Sequence, residues 1–333
     1  LKVRKNTPYQ HTSWSSKMLF GAEENYRYIP YEKEVSFVGD QVQLTLFDPD
    51  LTGEMAAFSL PDVIYPILNE SYQTYENRVI FQLIDGEKKE AAIVSMQQSV
   101  KDAHLIKKWY WLGTDQFGRD LLSRLVIGAR VSLSVGFISV SISLIVGIFF
   151  GAISGFFLGW VDDVIVWFIN VVWSIPTLLL VIAITFALGR GFWQVFVAVG
   201  LTMWVEVARV VRGQIISIRE KEFVEAGFAL GFSNTRIITK HILPNILSPV
   251  IVISAANFAS AILIEAGLSF LGIGVQPPMP SWGSMIKEYY SFIILDSAYL
   301  AIMPGVAIIM LVLAFMLLGN ALRDALDVRI END

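Results

Sequence analysis

Long hydrophobic runs dominate the chain from about residue 131 onward, and short polar segments separate them. Each run is long enough to cross about 30 Å of hydrocarbon as a helix that rises about 1.5 Å per residue. Only helices and closed barrels satisfy the backbone in lipid, and barrel strands would be about half as long. The pattern therefore predicts an all-α polytopic membrane bundle with five spans, at about 131–158, 164–188, 192–212, 246–272 and 297–322.

The first 112 residues follow a different pattern, because no apolar run of about 18 residues occurs there. With Asp85-Gly86 as a turn signal, four segments show the alternation of strands: Glu34–Val38, Gln41–Phe47, Arg78–Ile84 and Ala91–Val94. We therefore expect a small α+β domain at 1–112 and a membrane domain at 113–330. The small domain is either a spacer or lid on the bundle, or a contact surface for a binding protein.

Composition agrees with a membrane protein and excludes several other classes. Hydrophobic residues make up 54% of the chain. The charge is distributed unevenly, because the first 112 residues alone hold 12 of the 25 basic side chains. The chain has no cysteine, which excludes disulfides and thiolate metal sites, and its three histidines lie far apart in sequence. The phosphate-binding pattern G-x-x-x-x-G-K-[ST] is absent, and an isoelectric point near 5.4 argues against nucleic-acid binding. Two carboxylate pairs lack companion ligands: Asp115 with Asp120, and Asp162 with Asp163.

A polar insert separates the third and fourth runs, within a loop at 213–245. Its charged residues cannot stay in hydrocarbon and have to emerge into water: Arg219, Glu220, Lys221, Glu222 and Glu225. We predict a short helix at Glu222–Leu230, whose small residues allow close contact with another protein, and a turn at Gly231. The alternative is an amphipathic helix that lies on lipid.

The spacing within this loop resembles the EAA signature of ABC importer permeases. Glu225-Ala226-Gly227 is followed after three residues by Gly231, and after nine more by His241-x-Leu243-Pro244. Gly227 replaces the usual third alanine, and His241 replaces the usual isoleucine, as expected in the peptide and nickel branch of that family. Further motifs of the branch occur in the same order: Leu112–Asp120, Ser123–Leu125, Gly128–Arg130 and Gly272–Gly283. The resemblance covers about residues 109–330.

This resemblance implies a type I importer fold of the MetI-like class and a role as the membrane permease of an ATP-driven importer. The permease would move dipeptides or oligopeptides across the bacterial cytoplasmic membrane by alternating access, with nickel or another small solute as the alternative cargo. Its partners would be a homologous second permease, two cytoplasmic ABC ATPases, an extracytoplasmic binding protein and membrane lipid. It would be no enzyme and hold no cofactor, because the ATPases would bind ATP and Mg.

The resemblance also assigns residues to the contact with the ATPases. Coupling would fall on the signature positions and their neighbours: Glu222, Glu225, Ala226, Gly227, Gly231, His241, Leu243 and Pro244. Members of the branch usually carry a further span ahead of their outer segment, so we expect one upstream of Leu1.

The positions of lysine and arginine predict the orientation of the bundle. Most of those near the spans lie in the signature loop, in the span end that leads into it, or in the tail: Arg209, Arg212, Arg219, Lys221, Arg236, Lys240, Arg323 and Arg329. The short loops on the opposite side have only Arg190 and Lys287. The signature loop and the C-terminus are therefore expected in the cytoplasm, and residues 1–112 outside. A cluster before the first run disagrees, but long translocated domains weigh little in this rule: Arg119, Arg124 and Arg130.

A carboxylate inside the fourth run is a candidate for function. Glu265 lies one turn before Ser269 in an otherwise apolar span, where a carboxylate needs a partner or water. It is either a structural, hydrogen-bonded group or part of a translocation path, with Ser269 and Trp282, that meets an ammonium group or a cation. Trp282 follows a proline-rich loop and is otherwise an anchor at the membrane interface or part of a gate.

Two further patterns lie within the spans. Glu206, Arg209 and Arg212 have the spacing of ion pairs on one helix face, and we expect them to pair with each other near the cytoplasmic boundary. Three prolines lie in or near spans, where kinks are expected: Pro176, Pro249 and Pro304.

Two other classes of protein stay open. A secondary transporter would use an ion gradient, but such carriers often have paired broken helices in inverted repeats, and no motif here has a second copy. A scaffold whose outer domain does the work is disfavoured, because the conspicuous motifs lie in the membrane half. ATP dependence of uptake separates the first class from the importer, and deletion of residues 1–108 tests the second.

Overall fold

Two units make up the computed structural model, Leu1–Leu122 and Ser123–Asp333. The structure describes residues 1–7, 25–32, 35–47, 54–189, 191–275, 279–294 and 297–326. Some residues singled out in the sequence lie outside these ranges: His11, Glu34, Arg190, Pro277, Pro278 and Arg329. The motif Leu112–Asp120 belongs to the first unit, so the division falls after this motif and not at residue 112.

The first unit contains three antiparallel sheets, ordered β1–β2, β3–β4–β5 and β6–β7–β8. Their strands are β1 (Lys2–Arg4), β2 (Tyr26–Tyr28), β3 (Ser36–Val38), β4 (Gln41–Thr45), β5 (Met55–Ser59), β6 (Ile67–Tyr75), β7 (Arg78–Leu83) and β8 (Lys88–Ala92). Helix α1 (Leu60–Ile64) follows β5, and helix α2 (Ile93–Ser99) follows β8 and continues as a π-helical turn at Val100–His104.

Alternating side chains of β4 and β7 form the core of this unit, as the period of a strand requires. The strands predicted at Gln41–Phe47 and Arg78–Ile84 are confirmed. The strand predicted at Ala91–Val94 is wrong in its second half, because β8 ends at Ala92 and Ile93 begins α2. Ile93 is buried in the same core, so its burial does not require an extended backbone.

Helices form most of the described chain from Leu121 onward. They are α3 (Leu121–Phe157), α4 (Gly159–Ser174), α5 (Thr177–Leu188), α6 (Phe192–Arg219), α7 (Glu222–Ala229), α8 (Leu247–Phe270), α9 (Trp282–Tyr289) and α10 (Tyr299–Leu326). Helices α3, α6, α8 and α10 are long and apolar enough to cross a membrane, and the pair α4–α5 makes a fifth span if its two halves count together. The helical bundle predicted from the hydrophobic runs is therefore confirmed.

Helices α4 and α5 meet at an angle of 94°. Pro176 lies at the break, and a proline disfavours helical backbone in the residue before it. Ile175 is accordingly extended, with φ −88° and ψ 128°. The kink expected at Pro176 is confirmed, and it divides the span predicted at 164–188 into two helices.

Helices α3 and α6 pack in parallel at close range. The hydroxyl of Ser139 donates to the carbonyl of Phe196 at 3.0 Å, across 57 residues of sequence. At the same separation, three glycines on α3 face three backbone carbonyls on α6: Gly147 faces Trp204, Gly151 faces Ala208 and Gly155 faces Arg212. A Cβ atom on any of these glycines would lie 2.6–2.8 Å from the facing carbonyl oxygen. The small residues therefore allow the close helix approach that their positions predict.

Candidate coupling site and polar groups of the bundle

Helix α7 carries the centre of the predicted coupling segment, and a hydrogen-bonded turn ends it. The N–H of Gly231 donates to the carbonyl of Phe228 at 2.9 Å, and the N–H of Phe232 donates to that of Gly227 at 3.0 Å, which is the Schellman arrangement. Gly231 has φ +71°, and no atom lies within 4 Å of the position that its Cβ would take. The backbone conformation, and not lack of space, therefore favours glycine at this position.

Helix α7 has one buried face and one exposed face. Val224 and Gly227 are buried, and a Cβ on Gly227 would lie 3.6 Å from both Ile237 and Phe232. The alanine that usually stands there would therefore fit in ordinary van der Waals contact. The exposed face combines carboxylates with apolar side chains: Glu222, Phe223, Glu225, Ala226 and Leu230. Apolar side chains on an exposed, charged face are typical of a protein contact.

His241 and Leu243 support the base of α7 and do not join its exposed face. The His241 ring stacks on Phe232, with centroids 5.6 Å apart and 14° between the planes. The guanidinium of Arg236 lies 4.0 Å from the centroid of the same phenyl ring. Leu243 packs against the cluster that contains Val224, whereas Pro244 is exposed.

After the turn that ends α7, the chain is helical from Asn234 into α8 without a break. A short helix at Asn234–Arg236 leads into a π-helical turn at Ile237–Ile242 and a 3-10 turn at Leu243–Ile246, and α8 follows. His241 lies in the π-helical turn, a deviation that is frequent at functional sites. The buried Nε2 atom of His241 has no hydrogen-bond partner among the described residues.

The ends of α3 and α6 hold α7 in place. The ring of Phe228 on α7 stacks against that of Phe156 near the end of α3, with centroids 6.1 Å apart. The guanidinium of Arg219, the last residue of α6, lies 5.9 Å from the Phe156 ring. Phe156, Phe228 and Phe232 are supports that were not predicted from the sequence. Only the position of Phe232, directly after the turn glycine, could have indicated one of them.

An ion pair joins α4 to α6 at the same end of the bundle. Arg212 Nε donates to Asp162 Oδ1 at 2.7 Å and Arg212 Nη2 donates to Oδ2 at 2.5 Å, while the Ser154 hydroxyl also donates to Asp162. Arg209 instead donates to Asn170 Oδ1 at 2.9 Å and lies over the ring of Trp173. The expected pairing within α6 is therefore wrong, because the arginines reach partners on α4.

The family of the chain follows from comparison with known proteins. Residues 147–332 match the model of the binding-protein-dependent transport system inner membrane component. The chain belongs to this family.

Several relatives are similar over about two thirds of this permease. It is 42% identical over 223 residues to the dipeptide transport system permease protein DppC of Alkalihalophilus pseudofirmus. These residues make up 67% of this chain and 73% of the relative. It is 38% identical to the glutathione transport system permease protein GsiD of Pectobacterium atrosepticum, over 67% of this chain and 74% of the relative. The oligopeptide transport system permease protein OppC of Haemophilus influenzae is 39% identical, over 68% of this chain and 72% of its own.

A solved structure shows the same fold. The inward-facing MetNI methionine ABC transporter aligns with a TM-score of 0.52 and 19% identity, over 62% of this permease and 97% of that chain. The MetI-like type I importer fold expected from the sequence is thereby confirmed.

Glu265 is enclosed inside the permease and holds a turn together. Its Oε1 accepts from the Ser269 hydroxyl at 2.6 Å, and Ser269 Oγ in turn accepts from the N–H of Val275 at 3.1 Å. Glu265 is 0% exposed and Ser269 is 2% exposed. The buried Oε2 of Glu265 has no hydrogen-bond partner among the described residues, and a role of these two residues in a translocation path stays a prediction.

Trp282 is also enclosed, and it contacts the first part of α3. It is 5% exposed, and its Nε1–H donates to the carbonyl of Leu125 at 2.9 Å. The indole lies against Gly128, where a Cβ would be 2.7 Å from the Trp282 ring. Two motifs of the family, Ser123–Leu125 with Gly128–Arg130 and Gly272–Gly283, therefore meet in one contact. The place of Trp282 at a membrane interface or in a translocation path stays a prediction.

The carboxylates near the start of α3 stabilise local structure. Asp115 is 2% exposed and accepts from the N–H groups of Phe117 and Arg119, each at 2.9 Å, and from Arg119 Nε at 2.6 Å. Asp120 accepts from the N–H of Leu122 at 3.2 Å, as an N-cap residue does. Further along α3, Arg124 pairs with Glu288 at 2.6 Å. Asp115 and Arg124 therefore have opposite charges beside them in the fold.

No cluster of metal-binding side chains occurs within the described ranges. A search of those residues for three or more His, Cys, Asp or Glu side chains that could share one ion finds none. Asp162 and Asp163 do not form a shared site, because Asp162 binds Arg212 whereas Asp163 is exposed.

Proposed function

We propose that this chain is the permease subunit of an ATP-driven importer that moves dipeptides or oligopeptides by alternating access. The observation that carries the proposal is α7, a short capped helix with an exposed face of carboxylates and apolar side chains. The relatives named above support peptides as the cargo, since two of them are permeases of a dipeptide and an oligopeptide transport system.

The proposed mechanism treats α7 as a lever. ATPases that close on ATP would push the exposed face, formed by Glu222, Glu225 and Ala226 with their apolar neighbours. Because Gly231 ends the helix in a hydrogen-bonded turn and Val224 packs into the core, α7 would move as a rigid body. Its contacts with Phe156 and with the lead-in to α8 would transmit this motion to the spans and exchange inward and outward access.

The remaining parts of the assembly follow from the same proposal. A homologous second permease completes the path, and two cytoplasmic ATPases bind ATP and Mg, so this chain carries no cofactor and catalyses no hydrolysis. An extracytoplasmic binding protein delivers the peptide. The lysines and arginines of the coupling segment support its cytoplasmic position, with the C-terminus on the same side and the first unit outside.

The test is reconstitution of the chain with the proteins that co-purify with it in mild detergent. We expect ABC ATPases and a second permease by mass spectrometry, and uptake of dipeptides into proteoliposomes only with ATP and a binding protein. A panel with nickel and other small solutes separates the alternative cargo. Uptake driven by an ion gradient without ATP would contradict the proposal.

A further inference from the structure

Glu206 lies at the midpoint of α6 and not at its cytoplasmic end. The helix has 28 residues and is therefore about 42 Å long, with Glu206 about 21 Å from either end. A hydrocarbon layer of about 30 Å that lies within the length of this helix always includes its midpoint. The boundary position predicted for Glu206 rests on the end of the apolar run at about residue 212, but α6 continues to Arg219.

The carboxylate of Glu206 is not neutralised within the described chain. Its side chain is exposed and makes no hydrogen bond or ion pair with any residue that the structure describes. The two arginines nearest on α6 are engaged elsewhere, Arg209 by Asn170 and Trp173, and Arg212 by Asp162. A carboxylate in this state at the depth of hydrocarbon needs water or a cationic ligand.

A cavity of about 200 Å³ opens beside Glu206, between α6, α8 and the break that separates α4 from α5. Hydroxyl groups and an aromatic ring contribute to its lining, together with the carboxylate: Thr177, Thr202, Ser260 and Trp173. At ~30 Å³ per water molecule, the cavity has room for about seven waters. The recess combines these polar groups with apolar side chains and has room for water beside the carboxylate.

We propose that Glu206 binds the primary ammonium group of the transported peptide as it passes through the bundle; this inference rests on the proposed function. A single carboxylate beside hydroxyl groups and an aromatic ring suits an organic ammonium group. A divalent metal usually takes several carboxylate or imidazole ligands, and no three His, Cys, Asp or Glu side chains of the described residues come together to hold one. Glu206 is the carboxylate that we assign to the ammonium group, because it is exposed whereas Glu265 is 0% exposed.

The test uses a reporter cysteine, since the chain has none of its own. Ser260→Cys places a thiol in the cavity, and its reaction with the neutral reagent N-ethylmaleimide is followed by mass spectrometry in the purified full-length permease with its co-purified partners. The probes at millimolar concentration are alanyl-alanine, N-acetyl-alanyl-alanine and N-acetyl-alanyl-lysine. Alanyl-alanine carries an α-ammonium group, N-acetyl-alanyl-lysine carries only the ε-ammonium group of its lysine, and N-acetyl-alanyl-alanine carries neither.

We expect the thiol to react, and alanyl-alanine to slow the reaction while the N-acetylated alanine peptide does not. Protection by N-acetyl-alanyl-lysine would show that a lysine ammonium group is also accepted. Glu206→Gln should weaken protection about tenfold, because a charge-assisted hydrogen bond is lost. Asp163→Asn removes an exposed carboxylate outside the cavity and should leave protection unchanged.

An unreactive thiol, equal protection by the N-acetylated alanine peptide, or full protection in Glu206→Gln would each overturn the inference. These outcomes are independent of the proposed function, because labelling needs neither ATP nor a binding protein. Protection that depends on Glu206 in a chain without ATP-driven uptake would overturn the importer and leave the ammonium site standing.

Discussion

Arg212 on α6 binds both carboxylate oxygens of Asp162 on α4, 50 residues earlier in the chain. The Asp162 side chain is 12% exposed and that of Arg212 is 32% exposed, so the pair is only partly desolvated. Asp162→Asn or Arg212→Gln should lower the free energy of unfolding by about 2 kcal/mol, the range for hydrogen bonds to charged groups. Thermal unfolding in detergent measures the loss, with the exposed Arg323→Gln as control. In a double-mutant cycle, additive losses would contradict the pairing.

Replacement of Gly231 should uncouple ATP hydrolysis from uptake. Gly231→Ala forces a side chain into left-handed backbone at a cost of about 1–2 kcal/mol, and the helix end is expected to fray. Proteoliposomes should then hydrolyse ATP while importing several-fold less peptide. Gly86→Ala is a matched control, because Gly86 also has positive φ and no neighbour within 4 Å but lies in the first unit. Equal uptake per ATP in both variants would refute the lever.

His241 should be replaceable by an apolar residue but not by a small one. His241→Ile, the usual residue of the signature, removes a buried nitrogen that has no partner in the described chain, so stability should be kept or raised. His241→Ala loses the stack on Phe232 and should lower stability by about 1 kcal/mol. The melting temperatures of the two variants test this prediction. An isoleucine variant that is less stable than the original would contradict it and would indicate a hydrogen bond that His241 forms only in the assembly.

A close backbone contact should make Gly283 intolerant of any side chain. A Cβ on Gly283 would lie 2.3 Å from the carbonyl oxygen of Ala266, so Gly283→Ala has to displace α9 from α8. Overpacking of this kind costs about 1–3 kcal/mol. Gly267→Ala, one residue further along α8, meets no atom within 4 Å and should not destabilise. Proteolysis or thermal unfolding of the two variants measures the difference. Equal stability of Gly283→Ala and Gly267→Ala would contradict the close contact between α8 and α9.

Glu265 should matter for stability and not for uptake of cationic groups. Ser269→Ala leaves Glu265 Oε1 and the N–H of Val275 without their shared partner, which should cost about 1–3 kcal/mol. Glu265→Gln keeps an oxygen for Ser269 and should import peptides at close to the normal rate. A large loss of uptake by a well-folded Glu265→Gln permease would restore this residue to the path.

The sequence predicts the spans and the coupling helix because their signals are local. Hydrophobic length indicates each span, and Gly231 marks the end of α7 by its own conformational preference. Side-chain partners are not local in this way. Spacing alone suggested that Glu206, Arg209 and Arg212 pair with each other, and only the packing of α4 against α6 brings Asp162 and Asn170 to the two arginines. The burial of Glu265 and Trp282 depends likewise on contacts between distant segments.

The glycines of α3 that face carbonyls of α6 restrict how the bundle can change shape. A slip of one residue between the two helices would bring Ile148, Ala152 and Phe156 onto the carbonyl positions, where even a Cβ does not fit. The two helices therefore have to travel together, as one beam. A change between inward and outward access therefore has to occur at other places in the bundle. We expect the break at Ile175 and Pro176 to be one of them, and residues beside it line the Glu206 cavity.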